Sequence, residues 1–452
     1  MSGGGLIQIV AYGAQDIFLT ADPEITFWKL QYRRHTNFAT ESIEQTFNGN
    51  ADFGKKVSAT IARNGDLMYR ATLVVELPEI EPTVSGCWTH DVGHHLINTV
   101  DFEVGGQRID RHWGDWLQIW SSLTVPDSQK VTYYKMIGRT EQLCGYNTNV
   151  KPRTTLYIPL QFYFNRFAGC ALPLIALQYH EVKINVEFRP IELLWCCAND
   201  SGYLDDNVRR RNMLSCSLWV DYVFLDTDER RKFAQISHEY LIDQLQYTEE
   251  SINNPSVRLT YTFNHPSQEL IWVVQKDSHI GHPGMSVSNQ WSNYQLDAFD
   301  MNTPFAMFEG AHYGGFGGNM STTHGESVGS RDGNPVVYYK LQLNNHDRFA
   351  GREGSYFNLE QIYEHHTSGT QSEGINVYSF ALQPEEHQPS CAINFSRIDK
   401  AVGSLQVHQG TLLSVNPETH EQCVTAAKVR TYCRSKNIFR VLSGMGGVAY
   451  SS

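Results

Sequence analysis

NGDLMYRATLVVE, residues 64–76, and HPSQELIWVVQ, residues 265–275, read as one phrase written twice: a turn, then an apolar strand. Leu67 to Leu270 is a shift of 203 residues, and the same shift separates His35 from His238. Each histidine follows a helix-like stretch. The first opens at Asp22-Pro23-Glu24, with the acid as cap and proline at the first helical position. It carries Ile25, Trp28 and Tyr32 at helical spacing. The second opens at Thr227-Asp228-Glu229, with acids in its first turn, and continues through Phe233 and Ile236.

Further landmarks keep the same order. FEVGGQR (102–108) answers to LQLNNHDR (341–348), with Val104 to Leu343 a shift of 239. Tyr157-Ile158-Pro159-Leu160 answers to Tyr378-Ser379-Phe380-Ala381, a shift of 221, and each is followed by a proline loop (Pro173, Pro389). Leu218–Leu225 pairs loosely with Lys428–Tyr432. The spacing predicts a duplicated unit of about 200 residues whose second copy gained about 36 residues before Leu343. Each copy is long enough to bury roughly 70% of its unfolded surface without disulfides or a metal. Abundant aromatics, Thr and Val favour strands. Gly and Pro recur at the spacing of a sandwich or barrel.

A net charge of −12 disfavours a nucleic-acid binder, which needs basic surface to displace counterions. The basic clusters Arg33-Arg34, Arg209-Arg210-Arg211 and Arg230-Arg231-Lys232 are short and read as solvated faces. Nine scattered cysteines, with no C-x-x-C, fit reduced thiols in a cytosolic setting. No signal peptide is visible, no apolar run reaches the roughly 20 residues of a membrane span, and Ser2 stands where myristoylation needs glycine.

Motifs that could carry chemistry lack their context. His90, His94 and His95, with His112 nearby, have no acidic or cysteine framework for a metal; His365-His366 is weaker still. Gly314-Gly315-Phe316-Gly317-Gly318 lacks the strand, helix and Gly-Lys-Ser/Thr of a phosphate loop and reads as a long surface loop. Gly325-Glu326-Ser327-Val328-Gly329 lacks the strand and helix of a nucleophile elbow. Trp113, Trp116 and Trp120 fit a short amphipathic helix against a sheet better than a sugar platform. Asn199, Asn319 and Asn394 begin glycosylation triplets, of which Asn319 is the most accessible candidate. The residues therefore indicate no catalytic set, no cofactor and no metal, and a structural or binding role.

Seven stretches then carry a family resemblance from end to end. They are AYGAQDIFLTADPEITFWKLQYRRHTNF (11–38), FEVGGQRIDRHWGDW (102–116), ALPLIALQYHEVKI (171–184) and WVDYVFLDTDERRKFAQISHEYLI (219–242). The others are DRFAGREGSYFN (347–358), QPSCAINFSRID (388–399) and SGMGGVAY (443–450). The chain resembles the major capsid proteins of large icosahedral double-stranded DNA viruses, in the algal-virus and amoeba-virus branch. The resemblance implies an all-β double jelly roll, two consecutive eight-stranded antiparallel sandwiches with short helices and long loops. It implies homotrimeric, pseudo-hexagonal capsomers that tile a shell over an internal membrane and contact minor capsid proteins. It carries no catalytic residue. Residues 121–152 and 277–335 hold none of its landmarks.

The expected division is an N-terminal arm at 1–22, a first jelly roll at 23–225 and a second at 226–452. In the arm, Leu6, Ile7, Ile9 and Val10 are the candidate assembly residues, docking beneath the capsomer on minor proteins or a neighbour. The expected setting is the virion shell, assembled in the host cytoplasm, with no direct contact to nucleic acid. The competing reading is a jelly-roll carbohydrate-binding or cupin-like protein, whose metal would need a His/Glu set on inward strand positions. A vertex spike would call for secreted-type cysteines or fibre repeats.

Overall fold

Alternation builds the strands. In Val182–Phe188 the apolar Val182, Ile184, Val186 and Phe188 are buried, while Lys183, Asn185 and Glu187 between them are only half-buried. A computed structural model describes residues 13–15, 28, 36–197, 206–280, 289–296, 333–368, 374–415 and 422–450. Met1–Phe38 and Ala39–Ser452 are separate compact units, and the strands from Ala39 onward lie in the second. The arm's Leu6, Ile7, Ile9 and Val10, the helix start at Asp22, Gly314–Gly318 with the Ser327 motif, and Asn199 and Asn319 lie outside the described residues.

The first strands are β1 Phe38–Gln45, β2 Lys56–Thr60, β3 Leu67–Leu77, β4 Gly86–Trp88, β5 Ile97–Val104 and β6 Gln107–Trp113. They continue as β7 Thr154–Pro159, β8 Leu172–Pro173, β9 Val182–Phe188, β10 Trp195–Cys197 and β11 Ser215–Leu225. After the helix Thr227–Gln235 come β12 His238–Ile252, β13 Ser256–Tyr261, β14 Pro266–Lys276, β15 Val336–Leu343, β16 His346–Asp347 and β17 Arg352–Glu353. Last are β18 Ile375–Ser379, β19 Ile393–Asn394, β20 Ala401–Val407, β21 Leu413–Val415, β22 Gln422–Val424, β23 Ala427–Leu442 and β24 Met445–Val448.

The sheets repeat. The path β1-β11-β3-β7, with β8 also on β3, is matched by β12-β23-β14-β18, with β19 also on β14. The path β2-β9-β5-β6 is matched by β13-β20-β15-β16. Each half thus opposes two antiparallel sheets, the arrangement of a β-sandwich. The β5–β6 hairpin turns through Gly105-Gly106 and its counterpart through Asn344-Asn345, all four residues with positive φ. Two-residue turns of that hand suit the twist of the flanking strands. The shift of 239 holds here to the residue.

The shift of 203 does not. β3 and β14 carry a register irregularity at the same rung, next to Tyr69 and Gln268. Aligning these places Leu67 on Pro266, a shift of 199. In that frame Tyr157, opposite Val74, corresponds to Ile375, opposite Val273, and not to Tyr378. The right strands were matched at the wrong rung.

Among the described residues two apolar cores result. One, with Leu270, Trp272, Val274, Tyr339, Leu341 and Leu405, lies inside the second sandwich. The other fills the first sandwich and extends to Ile271, Val273, Ile375, Val377 and Tyr432. The second half's β12-β23-β14-β18 sheet is therefore buried on both faces, and one face packs against the first half.

Candidate functional site at the junction of the two halves

The helix Gly114–Thr124 leaves β6 and lies on that face. Its glycine is required: a Cβ on Gly114 would collide with the carbonyl oxygens of His94 and Ile97. The helix brings Trp116 to Tyr432, ring centres 5.3 Å apart. Trp120 lies against two guanidinium groups, Arg166 at 4.4 Å and Arg434 at 4.6 Å. Trp113 is the last residue of β6, not part of the helix, and meets Tyr247 at 4.3 Å. The expected helix exists from Gly114 with Trp116 and Trp120 buried, but it is enclosed rather than amphipathic, since Asp115, Gln118 and Ser121 are buried as well.

Asp115, in the first turn, is the electrostatic centre. It accepts hydrogen bonds from Arg189 Nη2 at 3.1 Å and, across the junction, from Arg430 Nη1 at 2.9 Å. Burial alone would raise its carboxyl pKa, but Arg189 and Arg430 hold it well below the usual carboxylate range. Arg430 is also paired with Glu249 at 2.9 Å. A second charged group lies along the same strand. Lys436 and Arg166 flank Asp243 at 2.6 and 3.8 Å, and Arg434 pairs with Glu269 at 3.2 Å.

His366 joins this group. Its Nε2 lies 3.3 Å from Glu269 and its Nδ1 2.8 Å from Glu385. Burial lowers its pKa, but contacts with the two carboxylates win and raise it to about 9. The pair His365-His366, dismissed as a metal motif, thus contributes one buried imidazolium.

The segment 289–296 supplies a third set of contacts. Trp291 Nε1 donates to Leu193 O at 2.7 Å, and Asn289 Nδ2 donates to Glu192 O and Trp195 O at 2.8 and 2.9 Å. Arg189 stacks over Trp291 at 3.7 Å. The histidine cluster is drawn into this contact rather than toward a metal. His95 lies 3.2 Å from Asp115 and 2.9 Å from the Ser292 hydroxyl, while His94 meets the Tyr133 hydroxyl at 2.8 Å. His112 lies apart, paired with Asp110 at 2.9 Å. Burial pushes His90 down to about 3 and His94 to about 4. Among the described residues no group of three or more His, Cys, Asp or Glu side chains is placed to hold a metal ion.

Sequence reasoning missed Asp115, Asp243, Glu269 and the basic side chains of β23. Arg430, Arg434 and Lys436 share one face of that strand with Tyr432, and alternating charge there reads as a solvated face. The available signal is the company they keep: RTYCRSKNIF (430–439) interleaves the cations with Tyr, Cys, Ile and Phe.

These features define a class. Two consecutive sandwiches of repeated topology, locked by a buried junction, are the double jelly roll of viral shell proteins. The PBCV-1 virus capsid quasi-atomic model matches at a TM-score of 0.74 and 34% identity, over 94% of this chain and 100% of that one. The Faustovirus major capsid protein shares the fold at a TM-score of 0.68 and 11% identity. Family models match along the chain: "Major capsid protein N-terminus" over residues 26–226 and "Large eukaryotic DNA virus major capsid protein" over 229–447. The major capsid protein of Phaeocystis pouchetii virus is 44% identical over 99% of this chain and 100% of its own length. That of Paramecium bursaria Chlorella virus 1 is 38% identical over 99% and 100%.

The chain belongs to the major capsid proteins of large eukaryotic DNA viruses. It is a structural protein of the virion shell and not an enzyme, which sets aside the cupin-like and carbohydrate-binding readings.

Proposed function

We propose that this chain forms homotrimers whose six jelly rolls make a pseudo-hexagonal capsomer, and that these capsomers tile an icosahedral shell. Residues 23–225 and 226–452 are the two jelly rolls, and residues 1–22 are an arm that docks beneath the capsomer. Its further partners are neighbouring capsomers and minor capsid proteins, close to an internal membrane, with assembly in the host cytoplasm. The observation that carries the reading is the repeat of both sheet paths within one chain. Two similar units related by a rotation let threefold symmetry yield a nearly sixfold outline, and such an outline tiles a lattice of hexagons.

Light scattering on the purified chain tests this. The expected mass is three times that of the 51.4 kDa chain. A stable monomer at micromolar concentration would overturn the reading.

A further inference from the structure

The same sheet meets different fates in the two halves. In the shared frame Trp219, opposite Thr72, corresponds to Tyr432, opposite Ile271. Tyr157 corresponds to Ile375. Tyr432 and Ile375 are 1% and 0% exposed, in the core that the second half shares with the first, where Trp116 lies on Tyr432. Trp219 and Tyr157 are 37% and 48% exposed, with half-buried Val74 between them. Three apolar side chains, set among polar ones such as Thr72, Ser217 and Glu76, are thus left partly exposed on the first half where the twin face is closed on the second.

The covering parts are duplicated too. In the first half, the chain leaves the β5–β6 hairpin, enters the helix Gly114–Thr124 and lays Trp116 on Tyr432. After β7 it lays Tyr163 against Phe439. In the second half, the chain leaves the β15–β16 hairpin and enters a helical segment over 356–365. That segment buries Phe357 and Ile362 beneath it and turns Leu359 and Tyr363 outward, 47% and 87% exposed. After β18 it presents Leu382, 74% exposed.

We infer that Trp219, Val74 and Tyr157 of one copy are covered by Leu359, Tyr363 and Leu382 of a second copy, repeating between chains the docking that the first half makes within the chain. The inference rests on the homotrimer reading and names its contact. The two surfaces differ, so the contact is head-to-tail, and three such contacts make the closed ring of a homotrimer. Aromatic side chains at its centre, Trp219 and Tyr363, are the expected energetic anchors.

The test uses the full chain with Trp219→Arg and Tyr363→Arg, each separately. Tyr363 is 87% exposed, so Tyr363→Arg should keep the parent's fold by circular dichroism, and it decides the test where Trp219→Arg, at a side chain only 37% exposed, unfolds. Each variant should run as a monomer where the parent runs as a trimer. Trp219→Ala and Tyr363→Ala, which add no charge, should weaken the trimer by about tenfold or more. A one-to-one mixture of the two arginine variants keeps a single intact contact. It should therefore give dimers and no trimers. Variants that remain trimeric while the parent is trimeric overturn this contact and leave the trimer reading standing. A parent that is monomeric removes both.

Discussion

Asp115 receives guanidinium groups from both halves, Arg189 and Arg430, and all three side chains are almost fully buried. Removing its charge leaves buried Arg189 without a carboxylate and buried Arg430 with Glu249 alone. Asp115→Asn should therefore cost about 3–5 kcal/mol in urea unfolding; an unchanged midpoint would refute its central place. His366 makes a prediction in pH. Its folded pKa of about 9 lies above its ordinary 6.5, so the fold favours the protonated ring. That contribution is complete below about pH 6.5 and is lost as pH rises through about 9. Thermal midpoints should fall across this alkaline window, and His366→Gln should flatten the fall. His90, His94 and His279 act with the opposite sign. Burial lowers their pKa values to about 3, 4 and 3, so their contribution is present above about pH 6.5 and is lost as pH drops toward those values. None of these roles is legible in the sequence, because the histidine shifts follow from burial and the Asp115 and His366 contacts from partners distant in the chain. Asp115 and Arg430 stand 315 positions apart.

At the scale of elements, the helix Gly114–Thr124 sits where it does because its first residue has no side chain. Gly114→Ala should push the helix off the carbonyls of His94 and Ile97, with a loss of about 1–3 kcal/mol. Calorimetry reads this directly, and a fully native melting temperature would count against it. Elements were also the scale at which the sequence spoke most clearly. The hairpin shift of 239 is correct because Gly105-Gly106 and Asn344-Asn345 mark a single geometric point, a turn with positive φ at both positions. The strand shift of 203 was wrong by four residues for an equally physical reason. Strands alternate with period two, so a slide of four leaves every apolar residue on its proper face. Apolar matching cannot separate 199 from 203; the irregularity beside Tyr69 and Gln268 can.

For the whole molecule, the doubling was legible and the junction was not. Doubling is written in order and spacing, whereas the junction buries charges that resemble solvent-facing ones. The arm belongs to this scale as well. Deleting residues 2–20 should spare trimers and impair shell assembly, as judged by electron microscopy of assembled particles. Normal shells would sink the docking role of Leu6, Ile7, Ile9 and Val10. One feature of the fold also sets the order of these events. β11 passes to β12 through the helix Thr227–Gln235, none of whose residues is buried. Such a connector holds the halves near each other without dictating how they meet. It acts as a tether, and a short tether gives an effective local concentration in roughly the millimolar range. Contact within a chain is thus favoured over the same contact between chains, whose partners are more dilute. On the homotrimer proposal, each newly made chain should therefore close on itself before it meets its neighbours. A longer tether would erode that precedence and let halves of different chains trade places.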